Sequence, residues 1–155
     1  MQKKIVALYN SSNQGKTSTL RKLSILLNEK YSSQLQNYEL HETKNSGSDF
    51  IMVFKLYGLN FSIISEGDIG TIVKKHLDKF SYSDVIICTT RTKGSTVDVV
   101  KAFQKEHQAK LIWFSSYAVD HRLKKYSEFL DQANSLNASH LWKLLEDSIS
   151  FDKEV

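Results

Sequence analysis

Near the N-terminus, Lys3 to Tyr9 (KKIVALY) carries four consecutive apolar side chains, Ile5 to Leu8. A strand with one wet face alternates apolar and polar residues, whereas an unbroken run of this length reads as a strand covered on both faces. Two similar runs follow, within Asp84–Thr89 and Lys110–Phe114. Between the strands the period changes. Gly15–Glu29 has leucines at 20, 23, 26 and 27; Asp68–Phe80 has Ile69, Ile72, Val73, Leu77 and Phe80; Ser95–His107 has Val97, Val100 and Phe103. These spacings are helical. Strands alternating with helices predict an α/β chain whose sheet is covered on both faces.

Two further strands, Phe50–Tyr57 and Asn60–Ser65, are separated only by Gly58–Leu59, which reads as an antiparallel hairpin and makes the mostly parallel sheet mixed. Gln36–His41 is a sixth candidate strand and Lys44–Ser48 a loop. Asp120–Ile149 reads as one or two helices, and Phe151–Val155 as a frayed tail. Asp68 is a candidate N-cap for the second helix, and Ser95 or Thr96 for the third. A chain of 155 residues without repeat or linker is expected to form one domain, residues 1–155.

Composition narrows the function classes. With 41% hydrophobic and 25% charged residues, the chain fits a globular protein. No apolar stretch approaches the ~18 residues of a membrane span, and the apolar run after Met1–Lys4 is too short for a signal peptide. A cytoplasmic protein without membrane attachment is expected. The net charge of +4 suits an anionic ligand. Its lysines are scattered in pairs (Lys3–Lys4, Lys74–Lys75, Lys124–Lys125), which reads as solvated faces and not as a nucleic-acid surface. Cys88 is the one cysteine and lies in an apolar run, so it reads as a buried hydrophobe. The five histidines show no zinc-ligand spacing with it.

In α/β sheets, ligands sit at the carboxyl ends of the strands. The first such loop, Asn10-Ser11-Ser12-Asn13-Gln14-Gly15-Lys16-Thr17, resembles the P-loop (Walker A) pattern G-x-x-x-x-G-K-[ST]. Gly15 lets backbone amides approach phosphate oxygens, and those amides with the following helix N-terminus make an anion site. Lys16 is a mobile charge for the β- and γ-phosphates, and the Thr17 hydroxyl suits magnesium. Asn10 stands where the pattern has its first glycine; asparagine tolerates the left-handed turn. Asn10, Asn13, Gln14, Gly15, Lys16, Thr17 and Ser18 are thus the candidate phosphate-binding residues, and Ser18 and Thr19 offer hydroxyls near the α-phosphate.

At the end of the hairpin, Ser65-Glu66-Gly67-Asp68 looks like the Walker B position, with serine where an aspartate is usual. Glu66 and Asp68 are the candidate metal carboxylates beside Thr17, and Glu66 also suits orienting an attacking water. Asp68 serves equally well as a helix cap. Arg91, in Thr89–Ser95, is a candidate for offsetting charge in a phosphoryl transition state, with Lys93 a weaker one. Tyr117 has the ring to stack on a nucleobase or to fill core space. Asp120-His121-Arg122 and Lys124–Lys125 read either as a lid over phosphates or as an ordinary helix start.

From Lys3 to Phe114 the chain resembles the P-loop NTPase superfamily, and within it small bacterial ATP-binding proteins. The resemblance implies a three-layer fold, a nucleoside triphosphate ligand and magnesium. Lys16, Glu66 and Arg91 are then the catalytic candidates, and Thr17, Glu66 and Asp68 the metal-binding ones. No N-K-x-D motif favours guanine. ATP hydrolysis is the first expectation. A kinase acting on a small-molecule acceptor stands beside it, and a third reading is a nucleotide-binding module without turnover or a basic nucleic-acid partner; the acceptor's place could also be taken by a protein partner.

Overall fold

The apolar runs form the strands expected of them. The computed structural model describes residues 1–10, 15–43, 49–115 and 125–154, and their order is β1 (Lys4–Tyr9), α1 (Lys16–Tyr31), β2 (Gln36–Glu42), β3 (Phe50–Leu56), β4 (Leu59–Ile64), α2 (Gly70–Lys79), β5 (Val85–Thr90), α3 (Ser95–Glu106), β6 (Lys110–Phe114) and α4 (Tyr126–Glu154). The strands make one mixed sheet in the order β2-β3-β4-β5-β1-β6. β4, β5, β1 and β6 are mutually parallel, while β3 runs antiparallel to both β2 and β4.

Successive residues of each central strand feed opposite cores, as the two-residue period of a strand requires. Val6, Leu8, Phe61, Ile63, Val85 and Ile87 pack with Leu20, Leu23 and Leu27 of α1 and with Leu141, Trp142 and Leu145 of α4. Their neighbours Ile5, Ala7, Ile64, Ile86 and Cys88 pack with Val73 and Leu77 of α2 and Val100 and Phe103 of α3. Helices therefore cover both faces. Burial raises the Cys88 thiol to about 12, so the side chain behaves as the small hydrophobe expected of it.

The hairpin turn falls on Tyr57 and Gly58, one residue earlier than expected, both at positive φ (55° and 76°), the backbone that suits right-twisted strands. Exposed β2 and partly exposed β6 form the two edges. Two helix starts differ from expectation. Asp68 does not cap α2, whose N-cap position is Ile69, and neither Ser95 nor Thr96 caps α3, whose N-cap position is Gly94. The C-terminal region is one helix from Tyr126 to Glu154, so the expected fraying at Phe151 gives way to helix through Glu154. The Lys44–Ser48 loop and the Asp120–Lys124 segment lie outside the described residues. No helix among the described residues is long and apolar enough to cross a membrane.

Candidate functional site

Because β1, β4 and β5 are parallel, Asn10, Ser65 and Arg91 emerge along one edge of the sheet. β3 runs the other way, so its first residues reach that same edge: Ile51 pairs with Ile64, and Ser65 N donates to Phe50 O at 3.1 Å. Asp49, which precedes β3, thereby joins the site.

Gly15 is left-handed (φ 80°) and sets the entry to α1. The left-handed backbone favours glycine here, and a Cβ would meet Asn134 Oδ1 at 2.5 Å, so the Asn134 side chain of α4 would have to shift to admit one. The helix it opens has no side-chain cap and no acidic residue in its first turn; its first residue is Lys16. A cation there opposes the helix dipole. Lys16 is only 7% exposed, and its ammonium donates to Thr90 O at 2.7 Å and Asn10 O at 3.0 Å. Asp68 Oδ1 is 3.8 Å away. Desolvation lowers the Lys16 pKa, Asp68 raises it in part, and Arg91 lowers it further.

The Thr17 hydroxyl donates to Asp49 Oδ1 at 2.9 Å, and the Ser65 hydroxyl donates to the same oxygen at 3.0 Å while accepting from Phe50 N at 2.8 Å. One carboxylate oxygen thus joins α1, β3 and the end of β4.

The two acidic residues singled out from the sequence have other partners. Glu66 Oε2 lies 3.1 Å from His76 Nε2 of α2, with the side chains 11% and 13% exposed. Asp68 sits between two cations, Lys16 and Arg91, each at 3.8 Å. Arg91 and Asp68 are half-exposed, and Arg91 N donates to Thr96 Oγ1. Gly67 allows this loop to lie on β5: a Cβ would come within 2.1 Å of Thr89 O, and Thr89 Oγ1 donates to Ser65 O at 2.8 Å. Ser18 is exposed in the first turn of α1. Thr19, expected near phosphate, is instead buried between α1 and α4, its hydroxyl 3.4 Å from Asn134 Oδ1. Asn13, Gln14 and Tyr117 lie outside the described residues.

Among the described residues, then, the fold brings Asn10, Gly15, Lys16, Asp68 and Arg91 together on one side and Thr17, Asp49 and Ser65 on the other. Asp49 was not among the candidates from sequence. It sits in no motif, and the one signal for it is the expected hairpin, whose antiparallel first strand must begin at the ligand edge.

No family model, curated protein or solved structure matches this chain at a significant level. Fold and site define it as an α/β protein with a buried cation and a hydroxyl–carboxylate cluster at the carboxyl edge of its sheet.

Proposed function

We propose that this chain binds a nucleoside triphosphate such as ATP, with magnesium, and hydrolyses its terminal phosphoanhydride. In this reading the fold is a three-layer P-loop domain. The observation that carries it is Lys16. A nearly buried ammonium at an uncapped helix N-terminus, with no acidic residue in the first turn and with two carbonyls and the half-exposed Asp68 carboxylate at 3.8 Å as its partners, opposes the helix dipole and gains when a polyanion arrives. The oxygen-rich Thr17 cluster suits a hard cation. When bound, magnesium would neutralise charge between the β- and γ-phosphates.

The chain's residues divide the remaining work. Backbone amides at the head of α1 and the Lys16 ammonium hold phosphate oxygens. Arg91 offsets charge on the γ-phosphoryl group. A water oxygen forms a bond to the γ-phosphorus as the bond from that phosphorus to the β,γ-bridging oxygen breaks; ADP keeps the bridging oxygen, and Glu66 accepts the water's proton. His76, 3.1 Å from Glu66, holds that carboxylate in place.

A thermal-shift panel of nucleotides, with and without magnesium, tests this reading. Near a hundredfold excess over Kd, a ligand specific for the folded state adds about 2.7 kcal/mol, which for a chain of this size is a rise of roughly 5–10 °C. The reading is lost if no triphosphate raises the melting temperature. Arg91→Ala should leave ATP affinity nearly intact and slow phosphate release by about tenfold, the effect of one charge-assisted contact of about 1.5 kcal/mol. A fall in helix content by circular dichroism would instead make Arg91 a structural residue.

One observation favours transfer to an acceptor. Beside Asn10, at the same edge, a cavity of about 310 Å³ is lined by Tyr9, Thr92, Val97, Lys101 and Trp113, with Tyr9 and Trp113 edge to face at 5.8 Å. It is open to solvent, and its mixed polar and apolar lining suits a small molecule held at the surface. A kinase using it would release little phosphate from ATP alone, whereas a hydrolase needs no acceptor.

A further inference from the structure

We infer that Asp49 is the carboxylate of the magnesium site. The inference rests on the nucleotide reading above and names a residue which that reading does not require. Magnesium takes oxygen ligands, keeps several waters, and is held by one or two carboxylates together with substrate phosphates. β4 is followed by Ser65, whose neutral hydroxyl brings no charge to the ion. The next two acidic residues along the chain are engaged elsewhere, Glu66 with His76 and Asp68 with Lys16 and Arg91.

Asp49 meets the requirement by topology. β3 is antiparallel to β4, so the residue before Phe50 stands beside the residue after Ile64. Its Oδ1 lies 2.9 Å from the Thr17 hydroxyl and 3.0 Å from that of Ser65. A hydroxyl that donates its hydrogen bond to a carboxylate turns its lone pairs outward, so Asp49 orients Thr17 as a ligand while supplying negative charge directly or through a magnesium-bound water. Among the described residues no three His, Cys, Asp or Glu side chains gather into a metal site, and a magnesium ion completed by phosphates and waters needs no such group.

Calorimetry on the full chain, with ATP and with ADP, each in magnesium and in EDTA, tests the assignment. For the wild type, magnesium should strengthen ATP binding. Asp49→Asn should remove at least about tenfold of that gain and leave affinity in EDTA unchanged or improved, since a negative charge near the phosphates is gone. Asp68→Asn should keep the gain. If wild-type protein binds neither nucleotide in either condition, the nucleotide reading fails and the assignment falls with it. If it binds both, and Asp49→Asn retains the full magnesium gain, the assignment alone is overturned.

Should Asp49→Asn not fold, wild-type protein loaded with ATP and Fe²⁺ in place of magnesium, then treated with ascorbate and peroxide, gives an independent answer. Backbone cleavage close to Asp49 that depends on nucleotide supports the assignment; cleavage confined to other segments overturns it.

Discussion

Lys16→Ala is expected to weaken ATP binding by roughly 10- to 100-fold, the loss of charge-assisted contacts worth about 1.5–3 kcal/mol. The physical basis is the state of the ammonium before ligand arrives. It is nearly withdrawn from water, held by the carbonyls of Asn10 and Thr90, and its pKa is lowered chiefly by that desolvation. A phosphate tail would replace weak neutral acceptors with anionic ones. Linkage adds a second readout. With a folded pKa below 10.5, the unfolded chain binds more protons between the folded value and 10.5, so this group makes stability rise with pH across that window. Bound phosphate pulls the pKa back up, so ATP affinity should decline as pH climbs through the folded value toward 10.5. Lys16→Met, which keeps the aliphatic stem, should lose the affinity trend and the Lys16 share of the stability trend, leaving the share of Lys3, whose pKa burial also lowers. Calorimetry giving equal affinities for wild type and Lys16→Ala would remove the basis for a phosphate site at the head of α1.

The chemistry of this edge was unevenly legible. The strands could be read because both faces of the central sheet are covered, which leaves uninterrupted apolar runs such as Ile5–Leu8 and Val85–Cys88. The position of Lys16 and Thr17 at the head of α1 follows from local order alone: strand, polar loop, glycine, helix. Asp49 could not be read in this way. It is 32 residues from Thr17, and only the reversed direction of β3 carries it to the site. Local rules also misplaced Asp68. It has a good capping side chain in the right place, but Lys16 and Arg91 lie close to its carboxylate, and the helix starts two residues later without it. Thr19 shows the same limit: its hydroxyl is near the motif in sequence, but two residues of helix past Thr17 turn it toward α4.

That α4 packing also sets the second large effect. Trp142→Ala should cost about 3–5 kcal/mol of stability, the usual loss for a large aromatic deleted from a core, against a total of only about 5–15 kcal/mol for a domain. The indole is 3% exposed and packs on Phe61 of β4 and Tyr31 of α1, with ring centroids 6.0 and 5.7 Å away. Its Nε1 donates to Tyr31 OH at 3.2 Å and to Glu146 Oε2 at 3.1 Å. Deletion therefore leaves a cavity and weakens the polar cluster that joins α1 to α4. The Tyr31 hydroxyl is the main reason the Glu146 carboxyl sits below its ordinary range. That contribution is present above about pH 4.5 and is lost as pH falls through the lower folded value. In urea the variant's midpoint should fall by at least about 1 M, and its stability should depend less on pH in the acidic range. ATP affinity, measured where the variant is still folded, should change little, because Trp142 touches none of Lys16, Thr17 or Asp49. A midpoint within about 0.3 M of wild type, well under the shift expected for core loss, would mean that α4 is not docked through this indole. The α1–α4 face would then rest on its aliphatic contacts, Leu20, Leu23 and Leu27 with Leu141 and Leu145, since the flanking pairs Lys22–Asp131 and Lys30–Glu146 are open to water and contribute at most about 1 kcal/mol each.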